Sequence, residues 1–149
     1  MPDGVDNLLQ RANDVGRNRR LTDARAALIQ AVELPRRETG DTRLAPALRD
    51  LGELERKLHE PARAREHYEE AVKLLRSQGD LLRLAHTVRH LGDVYHDAGE
   101  AGLAASCYRE ALELYRSRND VPRLDLANAI RSMAVLHEGV GASEEAQAL

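Results

Sequence analysis

A chain of 149 residues with 42% apolar and 32% charged side chains can bury one ordinary core and is too apolar to remain disordered. Its formal charge of -3 gives no broad basic surface for nucleic acid, and no window has the length and hydropathy of a membrane span. One cysteine, Cys107, cannot make an internal disulfide, and Asp3 and Asp6 stand where a signal peptide needs basic then apolar residues, so a cytoplasmic location is expected. Phe and Trp are absent and only four Tyr occur, so the core must be built from Leu, Ala and Val, and large aromatic anchors for an interface are scarce.

In chain order, Asp3 is a candidate N-cap, and Val5, Leu8, Leu9, Ala12 and Val15 recur at helical spacing over residues 3–18. The run Gly16-Arg17-Asn18-Arg19-Arg20 is expected to break this helix. Thr22 or Asp23 then caps a second, whose stripe is Ala24, Ala27, Leu28, Ala31, Val32 and Leu34, and Pro35 should kink or end it near Leu34. Gly40-Asp41 reads as a left-handed C-terminal residue followed by a cap, repeated as Gly79-Asp80 and, with Asn for Gly, as Asn119-Asp120. Helices are predicted over about 43–58, 61–77, 82–98 and 101–118, with Pro46 in a first turn and Pro61 at a first helical position.

Two stretches tie these elements together. Leu51 to Ala71 and Leu91 to Ala111, forty residues apart, share Leu51/Leu91, Gly52/Gly92, Glu60/Glu100, Ala64/Ala104, Tyr68/Tyr108, Glu70/Glu110 and Ala71/Ala111. Across 43–80 and 83–120, fifteen of thirty-eight positions are identical, where ordinary composition gives about three. Ala24, Ala31, Val32, Leu34 and Arg36 carry the same register one period earlier. Ala85, Arg89, Val94 and Gly99 match Ala127, Arg131, Leu136 and Gly141 at a spacing of forty-two. A fixed period of this size marks stacked supersecondary units, each too small to bury its own apolar face. The reading is a single all-α domain with repeats at about 3–40, 41–79, 80–119 and 120–149. The last is truncated, because its second helix starts at Ser143 and the chain stops two turns later.

Leu91-Gly92 to Tyr95, followed by Ala104, Tyr108 and Ala111, resembles the tetratricopeptide repeat, in the long-helix variety seen in kinesin light chains and bacterial regulators. Repeat one departs from the pattern with Ala12 and Leu28, and repeat four with Ala134. The resemblance implies a right-handed superhelical solenoid of antiparallel helix pairs that acts as a non-catalytic protein scaffold without a cofactor. It places the groove positions of each first helix at Asn13, Arg17, Arg49, Glu53, Arg56, Lys57, His86, Arg89, Asp93, His96, Asp97 and Arg131.

Stacked Arg49, Arg89 and Arg131, with Arg17, Arg56 and Lys57 nearby, would favour an acidic peptide, since guanidinium groups hold carboxylates through paired hydrogen bonds. Against this, Glu53, Asp93 and Asp97 can neutralise the column as surface pairs of under about 1 kcal/mol each. The alternatives are a sensor or regulatory domain of a larger bacterial signalling or transcription protein, or a metal- or small-ligand-binding protein. The last would use His86, His90 and Asp93, which fall on one side of a helix. His59, His67 and His137 read as surface or half-buried packing residues, and Cys107 as a small packing residue. An apolar edge at Leu126, Ile130, Met133 and Leu136 predicts a homodimer through the last repeat, with no nucleic-acid or membrane partner.

Overall fold

A computed structural model describes residues 2–37 and 41–148, with side chains placed for 14–33, 41–139 and 141. Its elements are α1 (Pro2–Arg37), α2 (Leu44–Lys57), α3 (Pro61–Gln78), α4 (Leu81–Asp97), α5 (Ala101–Arg116) and α6 (Arg123–Ala148), with no strand among the described residues. Contacts run between chain neighbours: α2 pairs with α3 and α4 with α5, α3 packs on α4, α5 on α6, and α1 on α2. Beyond chain neighbours, the backbones of α4 and α6 also approach each other, and side chains join α2 to α4 and α3 to α5. The array is an all-α solenoid, with repeat two formed by α2 and α3 and repeat three by α4 and α5.

The local chemistry of the middle repeats follows the sequence closely. Pro61 starts α3, where its missing N–H costs nothing, and Gly79 ends it at φ 75, a left-handed conformation that costs glycine little. Asp80 then caps α4 by accepting a hydrogen bond from the Arg83 amide at 3.1 Å. Within each repeat the tight turn also needs one left-handed residue. It is Gly99 at φ 77 in repeat three but His59 at φ 59 in repeat two, and both turns close with the following amide bonding five residues back, Glu60 to Glu55 and Glu100 to Tyr95. Asn119 does not match Gly79: it has no positive φ, and α5 ends instead at Ser117 in a right-handed conformation.

Each closed hairpin turns on one small residue. A methyl placed on Gly52 would lie 2.8 Å from Cδ2 of Tyr68, and one on Gly92 would lie 2.6 Å from Cε1 of Tyr108. Ala64, Tyr68 and Ala71 of α3 and Ala104, Tyr108 and Ala111 of α5 are buried in consequence. The main apolar cluster runs from α2 to α6, and a smaller one joins Val32 and Leu28 of α1 to Leu48 and Leu51 of α2 and Ala71 of α3.

Both ends depart from the expected hairpins. The break at residues 16–20 is absent: α1 runs without interruption for 36 residues and passes Leu34 and Pro35 to end at Arg37. One helical glycine costs about 1 kcal/mol relative to alanine, too little to stop a helix unless packing rewards the turn. Among the described residues, a methyl on Gly16 would come within 4 Å only of Arg20 on the same helix. At the other end α6 continues through Gly139 and Gly141 as 26 residues, so no second helix begins at Ser143. Both glycines have open space around them. The expected left-handed residue at Gly40 lies outside the described residues, as do the side chains of Asp3, Val5, Leu8, Leu9, Ala12, Asn13, Leu34 and Ser143.

The apolar edge expected on repeat four is narrower than its sequence suggests. Leu136 is buried, and Leu126 and Met133 pack partly against the main cluster. Among the described residues, the large apolar side chains exposed on α6 are Leu124, Ile130 and Val135.

Candidate protein-binding groove

The first helices of successive repeats, α2, α4 and α6, carry the expected groove residues. Between α2 and α4 lies a cleft of about 320 Å³ walled by Glu53, Arg56, Lys57, His59, His90 and Asp97. Four of the walls, Glu53, Arg56, Lys57 and Asp97, are positions expected from sequence, whereas His59 enters through the left-handed turn that ends α2. A neighbouring cleft of about 300 Å³ gathers Asp14, Arg17, Asn18 and Leu21 of α1 with Lys57 and His59, so Arg17 also faces this side.

The cations of the groove are held by its own acids. Arg56 donates from Nε to Asp97 Oδ2 at 2.6 Å and lies 3.7 Å from Asp93 Oδ2, which joins α2 to α4 across the cleft. Lys57 meets Glu53 at 3.0 Å, and Arg49 donates to Asp50 at 2.9 Å. Arg89 is buried, its Nη1 3.5 Å from Asp93, while Tyr108 donates its hydroxyl to the other oxygen of that carboxylate at 2.7 Å. Arg131 is exposed on α6 and His96 is half-buried on α4, while the Asn13 side chain lies outside the described residues. Arg49, Arg56, Lys57 and Arg89 are therefore each paired with an acid, as the neutralising alternative read from the sequence has it, although Arg49 meets Asp50, which was not among the acids expected.

His86 and His90 meet edge to face with ring centroids 4.6 Å apart, and Tyr68 stacks on His90 at 6.2 Å. The Arg89 guanidinium, which can only donate, places Nη2 3.0 Å from His90 Nε2. Nε2 is thus the acceptor, and the ring proton sits on Nδ1, 3.7 Å from Asp93 Oδ2. Burial, reinforced by Arg89, pushes His90 down to about 3, and burial lowers His86 as well. With its acceptor nitrogen taken by an arginine, His90 does not present a ligand with His86 and Asp93. Among the described residues no three His, Cys, Asp or Glu side chains converge on one point.

Several residues that hold the groove in place, Glu55 and Arg25 first among them, were not given a site role in the sequence reading. Glu55, 1% exposed, receives His67 Nδ1 at 2.6 Å and lies 3.6 Å from Arg25 Nε, which places a charged knot where α1, α2 and α3 meet. One period on, the same three positions are Tyr95, Cys107 and Arg65. There Arg65 lies over the Tyr95 ring at 5.0 Å, and Tyr95 donates its hydroxyl to Glu69 at 2.8 Å. Burial, then Glu110, pushes the Cys107 thiol up to about 11, so it packs as a neutral group. A repeated tie binds neighbours on this side: Arg25 to Glu60 at 3.1 Å and Arg65 to Glu100 at 3.1 Å. Its signal was present, since Arg25 and Glu60 recur forty residues on as Arg65 and Glu100, but identity alone does not say which two residues touch.

Comparison with known proteins supports the architecture. Residues 5–77 match the Tetratricopeptide repeat family, and residues 90–118 match it again. Among solved structures, the crystal structure of BtubC (BKLC) from P. vanneervenii superposes with a TM-score of 0.76 at 18% identity, covering 87% of this chain and 53% of that one. The chain thus spans about half the length of that protein. No curated protein sequence matches.

Proposed function

Because the chain belongs to the tetratricopeptide repeat family, whose repeats mediate contacts between proteins, we propose that it is a non-catalytic cytoplasmic scaffold that holds a partner polypeptide along α2 and α4. The observation that supports this reading is the cleft between those helices, walled by both signs of charge from two successive repeats. The Arg56–Asp97 pair is partly exposed, with side chains 38% and 47% accessible. A pair in that setting contributes little to stability, so a ligand carboxylate can take over the arginine and a ligand cation the aspartate. An acidic segment with an interspersed basic residue fits such a wall better than a uniformly acidic one, because the groove offers few cations free of partners. The single half-buried cysteine suits a reducing compartment.

The test is retention of native-lysate proteins on the immobilised chain. Replacing Arg56 and Lys57 by Ala should remove a specific bound protein. Replacing Arg63 and Lys73, exposed on α3, should leave it bound. Equal retention by both variants would place the binding face elsewhere.

A further inference from the structure

The two closed hairpins obey one pairing rule. Gly52 meets Tyr68 and Gly92 meets Tyr108, partners that stand eight residues to either side of residue 60 and of residue 100. One period earlier the rule pairs Ala12 with Leu28 about residue 20. On one straight helix, however, sixteen residues separate them by about 24 Å.

The surface of α1 shows what that separation uncovers. Ala64 and Ala104, and Ala71 and Ala111, are all 0% exposed, whereas their counterparts Ala24 and Ala31 are exposed. Val15 is 68% exposed, although its counterparts Glu55 and Tyr95 are 1% and 8% exposed. The face that closes a hairpin in repeats two and three is open on α1 at Ala24, Ala31 and Val15, and Leu28 at its centre is only half-buried, packed against the cluster it shares with α2.

We propose that a second copy of this chain closes it. Two α1 helices lie antiparallel about a two-fold axis at residue 20, and residues 2–16 of each cover Ala24, Leu28 and Ala31 of the other. The first half of α1 has the pattern such a cover needs. Val5, Leu8, Ala12 and Val15 occupy the positions of Ala45, Leu48, Gly52 and Glu55, with a small residue facing Leu28 as Gly52 faces Tyr68. The arrangement is reciprocal: one helix pair provides both missing contacts, and the interface closes after two copies. The other first helix with an open face, α6, also carries a small residue at the matching position, Ala134. Docking α6 head to tail on α1 would leave Val15 uncovered and would generate open chains, so the antiparallel pair is favoured.

Light scattering across a dilution series of the full chain should give twice the chain mass. A monomer at every concentration overturns the proposal, and so does a mass that grows without limit, which would indicate docking on α6. A covalent version needs no assumption about affinity. Gly16→Cys with Ala24→Cys, combined with Cys107→Ser, places thiols four residues to either side of residue 20. Oxidation should yield a covalent dimer without free thiol. A bridged monomer would mean that the hairpin closes within one chain, and would overturn the exchange.

Discussion

Repeat three and α1 carry the same packing alphabet and use it in opposite ways. In repeat three a helix pair folds back on itself, so Gly92, Ala104, Tyr108 and Ala111 disappear from solvent. In α1 the corresponding stretch stays straight, and Ala24, Ala31 and Val15 remain outside. The difference lies in the turn rather than in the faces. Repeat three has Gly99 at φ 77, whereas Gly16 stays helical, and a methyl on it would meet only Arg20 of its own helix among the described residues. A small residue thus closes a hairpin only where the two helices it separates already have something to pack against.

The strongest way to break this comparison is to fill the closed site. Gly92→Leu should destabilise the fold by about 3 kcal/mol through overpacking against Tyr108, read by chemical denaturation. The same substitution at Gly16 should cost nothing comparable, and equal losses would mean that the hairpins are not held as described. Arg25→Ala should come next, at about 2 kcal/mol, because it withdraws a charge from beside the buried Glu55. Arg65→Ala should cost less, since Tyr95 carries no charge to strand. A double-mutant cycle with Glu55→Gln and Tyr95→Phe checks the contrast.

A more gradual effect, spread over several pH units, is expected on acidification. His90 is held neutral, its pKa lowered to about 3 by burial and by Arg89, whereas in the unfolded chain it titrates near its ordinary value of about 6.5. The unfolded state therefore gains a proton first as pH falls. Stability contributed by the neutral ring is complete above the unfolded value and is lost between it and the folded one, at up to about 1.4 kcal/mol per pH unit. His90→Gln should flatten that part of the stability profile, and an unchanged slope would place the titration elsewhere. The smallest effect sharpens the comparison from the open side: Gly16→Ala should stabilise by about 0.5 to 1 kcal/mol, since it improves a continuous helix. A loss of stability there would argue for a bend at that residue.

The middle of the chain was legible because several local rules agreed there. Pro61, Gly79 and Asp80 mark their boundaries by covalent geometry and capping, and Gly52 and Gly92 recur opposite Tyr68 and Tyr108. The ends misled for the converse reason. Gly16, Gly139 and Gly141 permit a turn without requiring one, and the tertiary contacts that decide the matter leave no trace in a local pattern. The turn at residues 59–60 was expected between its two helices, but the left-handed His59 was not, because a histidine at positive φ costs energy that only the closed hairpin recovers. In the groove, the family resemblance placed Arg49, Arg56, Arg89, Asp93 and Asp97 on one side of the array. Neutralisation by Glu53, Asp93 and Asp97 was legible there too, but the pairing of Arg56 on α2 with Asp97 on α4 was not, because spacing does not fix the relative rotation of two helices.

The ties from Arg25 to Glu60 and from Arg65 to Glu100 carry a mechanical consequence. Each rung spans one repeat and no more, and the Arg56–Asp97 pair does the same on the groove side. The array therefore behaves as an elastic ribbon braced along two edges. Raised ionic strength slackens both sets of braces, so it should soften bending of the ribbon while leaving each hairpin intact.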